Sequence, residues 1–205
     1  MAKGLYTIGY SGYPDVEDFI SELKKYGIQI LIDVRSSPYS TYYESYNKEQ
    51  LSRKLQANGI YYANFARQFG ARQEDPALYR NEQLGFRLDF EMFAKSEQFL
   101  DGIRTVEHSS ANIAFMCAEK NPSECHRAIL VARAFHDRGH EVLHILPGGN
   151  LFSQTDLEQE LLNTYFSDRA QTSLFEEEKS EEEYIAEAYR CRNKEIGFKQ
   201  EDLTA

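Results

Sequence analysis

The sequence predicts an α/β protein with a three-layer fold and a mostly parallel sheet, followed by a C-terminal helical and acidic extension. Short runs rich in β-branched residues alternate with segments of helical periodicity, the pattern of strands joined by crossover helices. Residues 28–34 (IQILIDV) are almost continuously apolar, which is typical of a strand covered on both faces. We therefore predict an α/β domain over residues 1–166 and an acidic, partly disordered or helical tail over residues 167–205.

The predicted strands are short apolar runs that end at polar or turn-forming residues. They cover residues 5–10, 28–34, 60–65, 113–117 and 142–146. Residues 67–87 are rich in arginine, and their aromatic and glycine positions follow neither the strand period nor the helix period. We predict a long functional loop there.

The predicted helices begin and end at residues typical of helix caps. In the first helix the apolar residues recur at helical spacing, at Val16, Phe19, Ile20 and Leu23. Further helices are predicted from Asn47 to Gly59, near residues 86–95, over residues 97–107, from Asn121 to Gly139 and from residue 155 onwards. In the tail, residues 176–183 form an acidic run, and residues 184–192 are predicted as a final helix.

Composition restricts the classes of function. The 205 residues are 41% hydrophobic and 13% aromatic, which is enough for a sizeable core. A net charge of −10 disfavours a broad basic surface for duplex DNA, although a local basic pocket remains compatible with it. The three cysteines and the N-terminal MAKGLYTIGY indicate a reducing, cytoplasmic setting. No apolar run reaches the roughly 18 residues of a membrane span, so no membrane partner is expected.

Four polar segments should meet at one edge of the sheet, because ligands of such folds bind beyond the carboxyl ends of the parallel strands. The segments are GYSG at residues 9–12, DVRSSP at 33–38, the arginine-rich loop, and CAEKNPSECHR at 117–127. Together they predict a pocket for a small anionic ligand, phosphorylated or nucleotide-like. The sequence indicates neither a cofactor nor an oligomeric state.

The first two segments offer groups that bind anions and hydroxyls. Gly9 and Gly12 would let backbone N–H groups approach an anion, but a simple turn is the commoner reason for such a pair. Asp33 lies where a ribose-binding acid would follow in a dinucleotide fold, and Arg35 offers a planar fork of donors for a phosphate. The two side chains could equally pair with each other.

The segment at 117–127 is the most specific signal in the chain. We expect Glu119 and His126 to transfer protons, and Cys125, beside His126 and Arg127 near a helix start, to be a candidate nucleophile. The plainer alternatives are a small buried cysteine and a capping or core hydrogen bond for the other two residues. Cys117 would lie at the same strand end.

Zinc bound by Cys117, Cys125 and His126 is a further interpretation. The spacing lacks a C-x-x-C pair, and adjacent ligands strain a tetrahedral site, so no metal is predicted. A rhodanese or tyrosine-phosphatase loop fits neither cysteine, because Arg127 lies too far from the first and too near the second.

A cluster of tyrosines after the second strand supports an alternative function. These are Tyr39, Tyr42, Tyr43, Tyr46, Tyr61 and Tyr62. They could stack on bases and make the protein a non-catalytic module for nucleotides or single-stranded nucleic acid, which the net charge does not favour. Filling of the core is the commoner use of aromatic residues. The histidines at positions 136, 140 and 144 are expected to be structural.

The motifs TIGYSG, LIDVRSSPYS and MCAEKNPSECHR resemble those of the domain of unknown function 488 family over roughly residues 5–146. The resemblance implies an α/β, Rossmann-like fold, without an activity, and a suspected link to nucleic-acid or nucleotide metabolism. It places the family signature on Gly9, Tyr10, Ser11, Asp33, Arg35, Cys117, Glu119, Cys125, His126 and Arg127. One departure is that a Leu-Gly-Gly-Arg-like stretch reads Phe-Gly-Ala-Arg here, ending at Arg72, which we also assign to ligand binding.

Overall fold

A six-stranded sheet forms the centre of the protein. The computed structural model describes residues 4–168 and 179–199. The strands are β1 (Gly4–Gly9), β2 (Ile30–Asp33), β3 (Tyr61–Asn64), β4 (Asn112–Cys117), β5 (Val142–Ile145) and β6 (Leu151–Ser153). Their order is β3-β2-β4-β1-β5-β6, in which β6 runs antiparallel to β5 and all other pairs are parallel. The predicted mostly parallel, Rossmann-like sheet is confirmed.

Helices cover both faces of the sheet. They are α1 (Val16–Lys25), α2 (Lys48–Ala57), α3 (Ala66–Phe69), α4 (Phe90–Phe93), α5 (Glu97–Glu107), α6 (Arg133–His136), α7 (Gln154–Tyr165) and α8 (Glu181–Ile196), with a π-helical segment, Arg127–Ala132, leading into α6. The apolar faces of α1 and α2 pack with Ile8 and Leu31 of the sheet. The later helices pack on the opposite face with Ile32 and Phe115. Alternate residues of each strand therefore enter two separate cores.

The chain diverges to opposite faces of the sheet at the carboxyl ends of three neighbouring strands. The chain leaves β1 and β2 toward helices on one face, and it leaves β4, which lies between them, toward α6 on the other face. The register pairs Gly9 with Cys117 and Asp33 with Met116, so the three strands end at the same level. Such a divergence is where open α/β sheets bind their ligands.

The second part of the predicted tail packs on the α/β body. Helix α8 begins at Ser180 with a capping box, longer than the predicted helix at 184–192. The Tyr189 hydroxyl donates to Glu158 of α7 at 3.1 Å, and the Asn193 side chain bonds the backbone of Leu88 and Phe90, at 2.9 Å each. Residues 169–178, which include the start of the predicted acidic run, lie outside the described residues.

The structure corrects several element boundaries. Strand β6 was not predicted, because it has only three residues and follows a turn at Gly148 and Gly149. The helix predicted from Asn121 is interrupted: Pro122–Glu124 forms one 3₁₀ turn, and Cys125 then takes an extended conformation (φ −135°, ψ 136°). The helix predicted near residues 86–95 is reduced to the single turn of α4.

Among the residues that the structure describes, no helix combines the length and the apolar character that a bilayer crossing requires.

Candidate functional site

Two cysteines and a histidine converge where β4 ends. Cys117 is the last residue of β4, and the loop that follows returns through Cys125 and His126 to the start of the π-helical segment. The exposed fractions are 4% for Cys117, 2% for Cys125 and 9% for His126. Their donor atoms, two Sγ and one imidazole nitrogen, all lie within 4.8 Å of one another. Together with Glu119 these residues form what we call the Cys-His cluster.

The His126 ring is held in one orientation by the backbone of β2. Its Nε2 lies 3.0 Å from the carbonyl oxygen of Val34, to which it donates. Its Nδ1 therefore faces the two thiols, at 3.8 Å from Cys117 Sγ and 4.0 Å from Cys125 Sγ. The extended conformation of Cys125 is what lets adjacent residues direct both side chains to a common point.

Glu119 connects the cluster with solvent. The residue as a whole is exposed, yet its Oε2 lies 2.9 Å from the Sγ of buried Cys125. A carboxyl group and a thiol at this distance share a hydrogen bond, so one proton lies between them. Desolvation of the carboxyl group, together with the neighbouring Cys125, raises the pKa of Glu119.

The thiols and the imidazole differ in their tendency to ionise. Burial opposes ionisation of Cys125, but the Cys117 thiol, the Arg127 guanidinium and His126 outweigh it and lower the pKa of Cys125 well below its usual value. The hydrogen bond to Cys125, together with burial, raises the pKa of Cys117 well above its usual value. Burial disfavours a charged His126, yet Cys125 and Glu119 raise its pKa. Of the two thiols, Cys125 is therefore the more readily ionised.

Arg127 is completely buried and ties the loop to the sheet. Its guanidinium donates to the carbonyl oxygens of Glu119 and Lys120, and its Nε donates to the Thr7 hydroxyl at 3.3 Å. The Thr7 hydroxyl in turn lies 2.8 Å from Nδ1 of His144. In this structure Arg127 positions the Glu119 loop rather than presenting its guanidinium at the surface.

Asp33 and Arg35 form a buried ion pair beside the cluster. Arg35 Nε and Nη2 donate to both carboxylate oxygens of Asp33, at 2.6–3.1 Å, and Nη2 also donates to the carbonyl oxygen of Tyr46 at 2.9 Å. The Tyr62 hydroxyl donates to Asp33 Oδ2 at 2.6 Å. Arg35 Nη1 is buried, and no hydrogen-bond partner lies within reach of it among the described residues.

The glycine motif packs the first strand end against the Glu119 loop. A Cβ atom on Gly9 would lie 1.8 Å from the carbonyl oxygen of Glu119, so only glycine fits there. The Ser11 N–H donates to the carbonyl oxygen of Ala118 at 3.0 Å, which occupies one of the N–H groups expected to approach an anion. Tyr10 is buried and stacks on Tyr46, with ring centroids 4.6 Å apart.

Arg72 lines a neighbouring cleft at the same edge of the sheet. The cleft has a volume of about 830 Å³, and its lining includes Ser36, Arg67, Arg72, Glu74, Asp75 and Gln98. The Arg72 N–H donates to Ser36 Oγ at 2.9 Å, which joins the loops after β2 and β3. Ala71 stands where the family has its second glycine, and its φ is not positive, since among the described non-glycine residues only Phe86 has a positive φ. The alanine therefore carries no left-handed strain.

Some parts of the site were not predicted from the sequence. The Val34 carbonyl is a backbone group, which no side-chain pattern can indicate. Thr7 and His144 lie on inward-facing positions of β1 and β5, where alternation indicates burial but not a partner.

Comparison with known families identifies a related family. Residues 15–134 match the family model described as "Domain of unknown function DUF488". No curated protein and no solved structure matches the chain. The matched range includes Asp33, Arg35 and the whole segment from Cys117 to Arg127.

Proposed function

The chain belongs to the DUF488 family of domains of unknown function, and we propose that this member is an enzyme that acts on a small anionic, nucleotide-like or phosphorylated molecule at the C-terminal edge of its sheet. The observation that carries the proposal is the contact between Glu119 Oε2 and Cys125 Sγ at 2.9 Å. It joins a carboxyl group of a solvent-exposed residue to a buried cluster, an arrangement suited to moving a proton to and from a bound molecule.

The neighbouring cleft supports the class of ligand. Its two exposed arginines, Arg67 and Arg72, can bind a phosphate, while Glu74 and Asp75 can accept hydrogen bonds from hydroxyl or amino groups. This mixture fits a molecule that carries both a phosphate and polar donors, as a nucleotide does. The cleft begins at Ser36, two residues after the carbonyl that holds the His126 ring.

Ligand-dependent thermal stability tests the proposal. The panel contains nucleotides, nucleosides, sugar phosphates and short oligonucleotides. A ligand at about 100 times its Kd stabilises by about 2.7 kcal/mol, which corresponds to roughly 5–10 °C for a domain of this size. We expect the stabilisation in wild type, its loss in Arg72→Ala, and its retention in Arg80→Ala, which removes an exposed arginine outside the cleft lining.

Turnover separates an enzyme from a binding protein. Any ligand found in the panel is incubated with wild type and with Glu119→Gln, and its conversion is followed by mass spectrometry. The proposal expects Glu119→Gln to bind the ligand with unchanged stabilisation and to convert it at least about 100-fold more slowly, the lower range for a general acid–base group. Equal conversion by both proteins would remove Glu119 from the chemistry.

A covalent variant would use Cys125 as the nucleophile. The lowered pKa of its thiol favours this variant, whereas its 2% exposed fraction stands against direct attack on a substrate. Alkylation of Cys125 that is rapid and follows pH would support it, and a thiol that stays inert across neutral pH would exclude it.

A non-catalytic nucleic-acid module is the second candidate. The observation that favours it is the exposure of three of the predicted tyrosines, with exposed fractions of 56% for Tyr39, 93% for Tyr42 and 68% for Tyr61. Stacking on such rings is sequence-tolerant and salt-sensitive, since the backbone must also be bound. Binding of short oligonucleotides that weakens with salt and with Tyr42→Ala would support this candidate, and binding indifferent to salt would exclude it.

A further inference from the structure

We propose that Cys117, Cys125 and His126 bind a Zn²⁺ ion, with Glu119 beside it as the group that accepts a proton from a zinc-bound water. This inference rests on the proposed function and deepens it, because it names what the buried cluster contributes to that site. Nucleophilic use of the Cys125 thiol and zinc binding by it exclude each other, so the two are separable by experiment.

The spacing of the donor atoms fits a tetrahedral ion. Zinc bonds of about 2.3 Å to sulfur and about 2.0–2.1 Å to nitrogen give sulfur–nitrogen edges of about 3.5 Å. The observed edges from His126 Nδ1 are 3.8 Å to Cys117 Sγ and 4.0 Å to Cys125 Sγ. A contraction of a few tenths of an ångström would bring these two edges to the tetrahedral value. The sulfur–sulfur edge, which is at most 4.8 Å, would have to reach about 3.8 Å.

The orientation of His126 fits a metal ligand. Histidines that bind metals usually donate their other ring N–H to a backbone carbonyl or a carboxylate, which fixes the ring. The Val34 carbonyl provides this contact on Nε2, and the remaining nitrogen points at the two sulfurs. At 3.8 and 4.0 Å the two thiols are long partners for one nitrogen, and a shared ion explains their convergence better than two weak hydrogen bonds.

Zinc suits the donor set and the charge of the site. Thiolates are soft ligands that select zinc over magnesium, calcium or manganese, and binding displaces the protons from the ligands. Two thiolates neutralise the ion, and the buried Arg127, which donates to the Glu119 and Lys120 carbonyl oxygens, balances an ionised Glu119. The completed site would have no net charge, which a buried position requires.

Three protein ligands leave a fourth position for water. Zn²⁺ lowers the pKa of a bound water toward neutrality, so the water loses one proton to the Glu119 carboxylate and leaves hydroxide on the ion. The order Cys-x-Glu has a counterpart in zinc-dependent nucleobase deaminases, in which a glutamate that is not a ligand follows a zinc ligand by two residues and transfers the proton. The adjacent Cys125 and His126 differ from the C-x-x-C pair of those enzymes. Hydrolysis is accordingly the class of reaction that we infer.

Metal content of the full chain provides the first test. Protein purified without chelators and loaded with zinc is expected to hold one equivalent, measured by elemental mass spectrometry after gel filtration. The Cys191→Ser variant, which removes the half-buried thiol of α8, is the matched control and should keep the equivalent. Glu119→Gln should keep it as well. Loss of an outer-shell partner lowers metal affinity by about 10- to 100-fold. The zinc affinity should fall by more than this in each of the ligand variants Cys117→Ser, Cys125→Ser and His126→Gln.

Cobalt substitution of the wild-type chain keeps the test independent of how the variants fold. Co²⁺ in a tetrahedral site with two thiolates shows a thiolate charge-transfer band and intense ligand-field bands, and these should be unchanged in Cys191→Ser. A wild-type protein with no stoichiometric zinc and no such bands overturns the inference. So does a cobalt spectrum of a site without thiolates.

The outcome is distinguishable from that of the proposed function. Ligand-induced stabilisation and turnover by zinc-free protein would overturn the zinc inference and leave the enzyme proposal in place. One bound zinc in a protein that converts no ligand of the panel would support the zinc inference and overturn the enzyme proposal.

Discussion

Acidification should destabilise the protein through His144, which is buried behind the Cys-His cluster. Its Nδ1 lies 2.8 Å from the Thr7 hydroxyl, and Arg127 donates to the same hydroxyl. Burial, and then the nearby Arg127 charge, lower the pKa of His144 to about 3. A protonated ring would be a charged group without solvent and would place a second positive charge beside Arg127.

The magnitude follows from the difference between the folded and unfolded states. A histidine in the unfolded chain has a pKa near 6.5, so below that pH the unfolded state binds a proton that folded His144 does not. Stability is therefore fully present above about pH 6.5 and is lost as the pH falls toward 3. Between pH 7.5 and pH 5 the loss amounts to about 2 kcal/mol, from about 1.5 units at 1.36 kcal/mol each.

Urea unfolding of wild type and His144→Asn at the two pH values measures this loss. Asparagine can keep an acceptor for the Thr7 hydroxyl but carries no titrating ring, so the variant should lose about 2 kcal/mol less than wild type between pH 7.5 and pH 5. The matched control is His108→Asn, which removes an exposed histidine and leaves the Thr7 contacts intact. Parallel pH dependence of wild type and His144→Asn would refute the reasoning.

Three further predictions concern packing, charge and thiol exposure. Gly9→Ala should lower the free energy of unfolding by urea by about 3 kcal/mol or more, because backbone atoms of the Glu119 loop occupy the place of the new Cβ. Gly59→Ala, where the space is open but φ is +76°, should lower it by about 1 kcal/mol. Equal losses in the two variants would contradict the close approach at Gly9. Arg35→Ala should cost about 3–5 kcal/mol, because it leaves the Asp33 carboxylate buried without its partner, and a loss below about 1 kcal/mol by chemical denaturation would contradict a buried pair. In native protein, iodoacetamide followed by peptide mapping should label Cys191 before the two buried thiols, and the reverse order would show that the cluster is open.

The sequence predicted which segments meet at the carboxyl edge of the sheet better than it predicted the contacts between them. Polar residues at the ends of buried apolar runs predicted that Asp33, Cys117 and the loop after it would meet, because parallel strands end together. The same reasoning left open whether Asp33 and Arg35 face a ligand or each other. The structure shows them paired. Four hydrogen bonds join the two residues, and the Tyr62 hydroxyl also donates to Asp33. These contacts depend on three-dimensional distances that a linear pattern does not contain.

The helix signals in the sequence do not predict the interruption at Cys125. Asn121 and Pro122 are strong start signals, and Asn121 does cap a turn by accepting from the Ser123 N–H. The helix does not continue, because an extended Cys125 directs its thiol to Glu119 and Cys117. Tertiary contacts override the local preference, and the same override creates the Cys-His cluster. Likewise, the Gly9 motif was identified, but its close approach to a neighbouring carbonyl depends on the packing of two loops.

The position of Arg127 makes the cluster and the sheet open together. A guanidinium that holds β1 through Thr7 and the loop through two carbonyl oxygens cannot release one without leaving buried donors unpaired. Opening of the loop alone therefore has a high free energy. The Ser11 amide, which donates to the Ala118 carbonyl oxygen, should exchange with deuterium as slowly as the amides of the central strands. The cluster should therefore open only when the sheet unfolds, and not as an independently flexible loop.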